Sequence, residues 1–156
     1  MTFAQKALIK ARAAAERTGL PALADDSGIC VDALGGAPGA FSAYWAGHAK
    51  DAAANLALLL DQLSDIRDPH RAAQFVSTIA LVVPGGAESV VEGVWPGRLA
   101  VAASGGGGLG YDPIFSPDGR EPPAERTVGE WSAEEKNASS HRARAFRSLV
   151  PLLEIL

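Results

Sequence analysis

Cysteine is nearly absent from this sequence, and long apolar runs and an excess of positive charge are missing. Cys30 is the single cysteine, which excludes an intramolecular disulfide framework and fits a reducing compartment. No segment reaches the roughly 20 apolar residues that a membrane-spanning helix needs. The Ala-rich, basic start at residues 1–19 has no continuous apolar stretch and is not typical of a signal peptide. We therefore expect a cytoplasmic protein without a membrane partner.

The formal net charge of -4 argues against a protein that binds a nucleic acid polymer, because such proteins usually carry a basic face. A small phosphate-bearing ligand is still compatible with this charge, since it needs only a local cluster of cations. Apolar residues make up 47% and charged residues 21% of the chain, which is an ordinary globular balance. The length favours a single domain over residues 1–156.

Apolar periodicity and turn residues predict both helices and strands. Helices are expected over residues 2–17, 51–63 and 132–149. Strands are expected over residues 71–83 and 88–95, joined by a Pro-Gly-Gly turn. Thr2 is the predicted N-cap of the first helix and Gly19 its end. Ser132 and Glu135 have capping-box spacing at the start of the last helix, which Pro151 is expected to end or kink.

Two adjacent carboxylates, Asp25 and Asp26, stand in the segment ADDSG, which we interpret as a turn between short extended stretches. Successive side chains on such a turn point in different directions, so one carboxylate can reach a metal while the other stays structural. Mg²⁺ prefers oxygen ligands and keeps several waters, so one or two carboxylates plus substrate phosphates make a sufficient site. An ordinary Asx-type turn explains the same segment.

Basic side chains recur on the first and last predicted helices. Lys10 lies on the first, where surface solvation is the default explanation of a charged side chain. On the last helix Lys136, His141, Arg142 and Arg144 could together hold a polyphosphate, or could form a solvated face. Between these helices lies a glycine run, residues 105–108, whose backbone N–H groups could approach an anion, although the run lacks the ending of a Walker loop.

Several segments match one family in order along the chain, from residue 2 to about residue 146. They are TFAQKALIKAR, LADDSGICVDALGGAPGAFSA, VEGVWPG, GGLGYDPIF and EEKNASSHRARA. On these motifs the sequence resembles the inosine triphosphate pyrophosphatase family, whose members hydrolyse non-standard purine triphosphates such as ITP, dITP and XTP to the monophosphate and pyrophosphate. The resemblance implies an α/β fold with a long twisted mixed β-sheet flanked by helices. It also implies two lobes with a nucleotide cleft between them, a homodimer, and Mg²⁺ as cofactor.

The same resemblance assigns roles to residues of this chain. Asp26 would be the metal-linked carboxylate and general base, with Asp25 as a second candidate metal ligand. Lys10 would be catalytic and face the phosphates. The remaining positions would bind the small-molecule nucleotide substrate: Ser27, Leu109, Gly110, Tyr111, Asp112, Lys136, His141 and Arg142. A Tyr111 ring in a Gly-Tyr-Asp-Pro turn could stack on a base or simply pack.

The sequence also departs from the family pattern. The usual N-terminal strand, its Ser/Thr-x-Asn-x-x-Lys phosphate loop and an acidic residue before Thr2 are expected to be missing. Lys6 replaces an Asn, Tyr44 an Arg, and Leu109 a Phe. Three interpretations stay open on the sequence: an active pyrophosphatase, a truncated homologue that binds nucleotide or a partner subunit with little catalysis, and a chain whose natural start lies further upstream.

Overall fold

A computed structural model describes residues 1–119 and 126–156 of the chain. Its α-helices in these ranges are α1 (Phe3–Thr18), α2 (Ala52–Gln62), α3 (Ala133–Ser139) and α4 (His141–Leu153). Its strands are β1 (Ala22–Val31), β2 (Ala72–Val82), β3 (Glu88–Leu99) and β4 (Phe115–Pro117). The α/β class predicted from the sequence is confirmed. None of the described helices is long and apolar enough to cross a membrane.

The described strands form one sheet in the order β1-β2-β3-β4, and every neighbouring pair is antiparallel. Where the sequence interpretation expected a mixed sheet, the described part therefore holds antiparallel pairs only. A tight turn joins β2 to β3, which requires opposite directions. The longer connection from β1 to β2 carries α2, which packs mainly against the 3-10 helix Gly39–Tyr44. Among the described strands β1 lies at an edge of the sheet, where the 37–42 segment covers residues 28–31.

Helices α1 and α4 cover opposite faces of the sheet. Side chains of β2 point alternately to the two faces, so alternate residues of this strand pack against α1 and against α4. The α1 face holds a buried cluster of small residues: Ala7, Ala11, Ala15, Ala80 and Val82. The α4 face holds a second cluster: Ile79, Leu81, Ala145 and Leu149. The largest cluster lies further along the α4 face and includes Phe75, Trp95 and Phe115. The face on which a strand side chain lies therefore decides which helix it contacts.

Close packing of α4 on the sheet depends on Gly93 in β3. A Cβ atom at this position would lie 2.2 Å from the carbonyl oxygen of His141 and 2.4 Å from the backbone nitrogen of Ala145. Only a residue without a side chain lets the helix come this near. Gly93 therefore determines how closely the first turn of α4 approaches β3, and with it the position of His141.

The predicted helix starts are confirmed by their caps. The Thr2 hydroxyl accepts a hydrogen bond from the N–H of Gln5 at 3.1 Å, and Gly19 ends α1 in the left-handed conformation with φ 69°. Ser132 accepts from the N–H of Glu135 at 3.1 Å, which completes the predicted capping box. These ends could be predicted because each depends on residues within a few positions of one another.

The last helix differs from its prediction. Instead of one helix over residues 132–149, Ser140 takes an extended conformation (ψ 163°) and divides α3 from α4. The Ser140 hydroxyl accepts a hydrogen bond from Ala143 N–H at 3.2 Å and so caps the new helix. Pro151 does not end α4, which continues to Leu153.

The prediction of a turn at the segment ADDSG is wrong. Residues 25–28 lie inside the continuous strand β1, where Asp25, Asp26 and Ser27 pair with Ile79, Thr78 and Ser77 of β2. Strand β3 likewise runs through Pro96 and Gly97 to Leu99. In both places long-range pairing outweighs the local turn tendency of Asp, Ser, Gly and Pro.

Candidate active site

Asp26 lies on the α1 face of β1, between two lysines of α1. Lys10 Nζ is 3.5 Å from Asp26 Oδ1, and Lys6 Nζ is 3.7 Å from Asp26 Oδ2. Lys10 Nζ also donates a hydrogen bond to the Asp25 carbonyl oxygen. The Asp26 side chain is only 13% exposed, whereas that of Lys10 is 52% exposed. The structure thus brings together the two residues expected to be catalytic, Asp26 and Lys10.

Asp25 and Ser27 point to the opposite face, because side chains alternate along a strand. There Arg142 of α4 donates to Ser27 Oγ at 3.1 Å, and its Nε lies 3.9 Å from Asp25 Oδ2. The two carboxylates named as candidate metal ligands are therefore on different sides of β1. Arg142 thus contacts both Asp25 and Ser27, on the face of β1 opposite to Asp26.

An open cavity of about 340 Å³ lies on this second face, within the roughly 300–1,000 Å³ typical of small-molecule sites. Its walls come from β1, β2, the 39–44 segment, the 109–112 segment, α2, α3 and α4. The sequence-predicted residues on its wall are Ser27, Leu109, Gly110, Tyr111, Asp112, Lys136, His141 and Arg142. Every residue expected to bind substrate therefore faces a single cavity.

His141 forms part of the cavity wall and is 4% exposed. Burial, with the positive charges of Arg142 and Lys136 adding to it, lowers the pKa of His141 to about 3. The imidazole is therefore neutral at physiological pH, with one donor and one acceptor nitrogen. Its Nδ1 is buried without a hydrogen-bond partner among the described residues. A buried polar atom of this kind indicates a place where a ligand can supply the partner.

Asp112 organises another part of the cavity wall. Its Oδ2 accepts hydrogen bonds from Lys136 Nζ at 2.5 Å and from the Leu109 N–H at 2.8 Å. The Asp112 side chain is 2% exposed, against 19% for that of Lys136. Asp112 therefore fixes the 109–112 segment and the Lys136 ammonium group relative to one another, while Leu109 stays at the rim, 77% exposed.

Tyr111 holds the same segment from the other side. Its hydroxyl donates to the carbonyl oxygen of Ser42 at 2.7 Å, and burial raises its pKa to about 12. The ring belongs to the main hydrophobic core. Of the two interpretations left open for Tyr111, packing describes the ring, although part of it still lines the cavity.

Mg²⁺, which the family resemblance implies, is compatible with the surroundings of Asp26. Its Oδ2 is buried and makes no hydrogen bond to any described residue. A hard dication needs only one or two carboxylates when phosphate and water oxygens complete its shell. Within residues 1–119 and 126–156, no three His, Cys, Asp or Glu side chains are arranged to hold a metal ion. The residues present thus fit a cation shared with a substrate, bound through Asp26.

Sequence reasoning missed three contributors to this site. Phe75 forms the floor under His141, Ser42 accepts from the Ile29 N–H at 2.9 Å, and Asn55 bridges Ala43 O (2.9 Å) and Ala46 N (2.7 Å). Asn55 lies in α2, where the sequence predicted a helix and no site residue. The amide of Asn55 among alanines and leucines was the available signal, because a buried amide needs partners.

A carboxylate flanked by two lysines, next to a cavity with cationic and neutral nitrogen donors, defines a site for a phosphate-bearing small molecule. The sequence profile of the Ham1 family matches residues 1–152, and the chain belongs to this family. The family resemblance drawn from the motifs is thereby confirmed.

Individual relatives agree with this assignment. The chain is 65% identical to the dITP/XTP pyrophosphatase of Leifsonia xyli subsp. xyli and 58% identical to that of Streptomyces coelicolor, covering 100% of this chain and 76% of each relative. Among solved structures, the Staphylococcus aureus Ham1 protein aligns with a TM-score of 0.88 and 38% identity, covering 99% of this chain and 77% of that one. A dITP/XTP pyrophosphatase from Mycobacterium abscessus aligns with a TM-score of 0.83 and 54% identity, covering 97% and 76%.

Proposed function

We propose that the chain hydrolyses non-standard purine nucleoside triphosphates, such as ITP, dITP and XTP, to the nucleoside monophosphate and pyrophosphate. Relatives that align with the whole chain at 58% and 65% identity are called dITP/XTP pyrophosphatases. The observation that carries the proposal is Asp26 between Lys6 and Lys10, one residue along β1 from the Ser27 that lines the cavity.

The placement of Asp26 and Ser27 suggests how a triphosphate would lie. The base would occupy the cavity on the α4 face, with the sugar beside Ser27 and Arg142. Residues 28–31 of the edge strand β1 are covered by the 37–42 segment, so we place the crossing of the phosphate chain to the α1 face beside Asp26 and Ser27. There it would meet Asp26 and the ammonium groups of α1. Asp26 and Ser27 are adjacent in β1, and successive Cα atoms are about 3.8 Å apart. A triphosphate that contacts both side chains therefore spans only a short distance.

In the proposed reaction, a water molecule attacks the phosphorus nearest the sugar. Asp26 accepts a proton from that water, and the water oxygen forms a bond to the phosphorus. The bond between this phosphorus and the oxygen that bridges to the pyrophosphate group breaks. Pyrophosphate then leaves with the electron pair of the broken bond. The ammonium group of Lys10 offsets the negative charge that grows on the leaving group.

We propose Mg²⁺ as the cofactor, held by Asp26 together with substrate phosphates. When bound, it would neutralise charge on the phosphate oxygens and polarise the reacting phosphorus. Asp25 lies on the other face of β1, so we propose for it a role in orienting Arg142 and Ser27 instead.

Selection against adenine would follow from the donors of the cavity wall. Lys136 carries only hydrogen-bond donors, so its ammonium group suits an oxygen at the purine 6-position. The 6-amino group of adenine would present a second donor to the donors of Lys136 that Asp112 does not use, and the lack of an acceptor between them costs free energy in a desolvated site. The neutral His141 can serve a ring nitrogen of either base.

The direct experiment incubates the protein with dITP and Mg²⁺ and identifies the products. The proposal predicts dIMP and pyrophosphate in equal amounts, and much slower release from dATP. Release of dIDP and orthophosphate would contradict it. A protein that dITP stabilises against heat without turnover would instead be the nucleotide-binding homologue.

The family resemblance implies a homodimer and the sequence pattern a cytoplasmic location, and we extend both expectations to this chain as proposals. Light scattering of the purified protein measures the first. A mass equal to one chain across the working concentration range would contradict the dimer.

A further inference from the structure

The ammonium group of Lys6 is held in a defined place beside Asp26. Its Nζ donates a hydrogen bond to the carbonyl oxygen of Ala40 at 2.7 Å and lies 5.2 Å from the centre of the Tyr44 ring. The side chain is 22% exposed, less than half the exposure of Lys10. An ammonium group within about 6 Å of an aromatic ring is attracted to the face of that ring. Lys6 therefore presents a fixed charge, not a free surface one.

The Tyr44 ring is itself supported by its neighbours. The His48 ring stacks on it with centroids 5.3 Å apart and planes inclined by 17°. Phe41 meets it edge-on, with centroids 5.7 Å apart and planes at 88°. This ring cluster gives Tyr44 a defined orientation in the segment that crosses the edge of β1. It thereby fixes the place where Lys6 can rest.

Lys6 keeps hydrogen-bonding capacity for a ligand. A lysine ammonium group has three donors, and Ala40 O takes one of them. The 3.7 Å between Lys6 Nζ and Asp26 Oδ2 exceeds hydrogen-bond length, so this pair interacts by charge alone. With Lys10 on the other oxygen of Asp26, two positive charges face one negative charge. The group as a whole attracts anions.

We propose that Lys6 is a phosphate-positioning residue and that Tyr44 and the Ala40 carbonyl hold it in place for that purpose. The inference rests on the proposed function for the identity of the natural ligand. Lys6 and Tyr44 are also two of the positions at which the sequence departs from the family pattern, and the structure brings them into contact.

The test uses inorganic tripolyphosphate in EDTA at low ionic strength, with binding measured by calorimetry on the intact protein. Lys6→Gln keeps a donor for Ala40 O but removes the charge, and we expect binding to weaken about three- to tenfold. Lys6→Arg should restore most of the affinity. Arg17→Gln removes the same charge about 16 Å further along α1 and is the matched control, with a change under about twofold.

Variants at Tyr44 separate the ring from the charge. Tyr44→Phe keeps the ring face and should bind tripolyphosphate like the wild type, whereas Tyr44→Leu should weaken binding in the same direction as Lys6→Gln. In dITP turnover, Lys6→Gln should raise KM several-fold with a smaller change in kcat, the pattern of lost substrate binding. Melting temperatures of all variants report on folding.

Two results would overturn the proposal: wild-type protein that does not bind tripolyphosphate, or a Lys6→Gln variant that binds it as tightly as wild type while its melting temperature falls. The second result would make Lys6 a structural link between α1 and the 39–44 segment. Wild-type protein that leaves dITP intact, combined with weakened tripolyphosphate binding in Lys6→Gln, would remove the proposed function and leave the assignment of Lys6 standing.

Discussion

The imidazole ring of His141 lies almost parallel to the ring of Phe75, with centroids 4.8 Å apart and planes inclined by 14°. Trp95 stacks at a longer distance of 6.3 Å. These rings exclude water from His141, and their burial of the imidazole is the main reason for its lowered pKa. A ligand in the cavity therefore meets a neutral, orientated imidazole backed by an aromatic floor.

This burial makes stability depend on pH. The pKa of His141 is about 3 in the folded protein, compared with 6.5 for an ordinary histidine. As pH falls below 6.5 the unfolded chain binds this proton and the folded protein does not, so stability present above 6.5 is lost progressively towards pH 3. Between pH 7.5 and 5.0 the histidine contributes a loss of about 2 kcal/mol. Urea unfolding at both values measures it.

The matched variant for this prediction is His141→Gln, which has no titrating group at position 141. Other groups contribute equally to both proteins, so the difference between their pH slopes isolates the histidine. We expect the variant to lose less stability on acidification than the wild type. An equal loss of stability in the two proteins between pH 7.5 and 5.0 would show that the buried imidazole does not cause the acid sensitivity.

Replacing Lys136 should alter base selection more than turnover in general. In Lys136→Met the cavity loses the ammonium group proposed to face a 6-oxygen, so the preference for dITP over dATP in kcat/KM should fall about 10- to 100-fold. Lys50→Met removes another cavity-lining lysine and serves as the control, with dITP and dATP affected alike. If Lys136→Met keeps the wild-type preference for dITP over dATP, groups other than Lys136 select the base.

Gly93→Ala should destabilise the protein through α4. The added methyl group would meet backbone atoms of His141 and Ala145 at 2.2 to 2.4 Å, and backbone cannot move aside without shifting the helix. A loss of about 3 kcal/mol is expected in urea unfolding. Gly106→Ala is the matched control, because a Cβ there meets no atom within 4 Å. Equal stability of the two variants would contradict the tight contact between β3 and α4.

The sequence predicted those parts of the fold that depend on neighbouring residues. Thr2 and Gly19 mark α1 because caps are local, and the apolar periods mark β2 and β3. The strand through Asp25 and Asp26 could not be predicted in this way, since its conformation depends on pairing with β2, some fifty residues away along the chain. The division of the two carboxylates between faces follows from that pairing.

For the site, the motifs named the residues but not their relationships. Asp112 was expected to bind the substrate, and in the structure its carboxylate accepts hydrogen bonds from Leu109 and Lys136. Lys6 was noted only as a departure from a pattern, because its contacts with Ala40 and Tyr44 come from a segment far away in the sequence. Such contacts depend on tertiary packing, which periodicity does not encode.

The central claim is that Asp26 performs the chemistry, and the most direct test compares Asp26→Asn with Asp25→Asn in Mg²⁺-dependent release of pyrophosphate from dITP. The variants remove the same charge from adjacent positions on opposite faces of β1. We predict that Asp26→Asn lowers kcat by about 10²- to 10⁴-fold, while Asp25→Asn, which disturbs the contact with Arg142, has a much smaller effect. Equal activity of Asp26→Asn and wild type, or a larger loss in Asp25→Asn, would contradict the account.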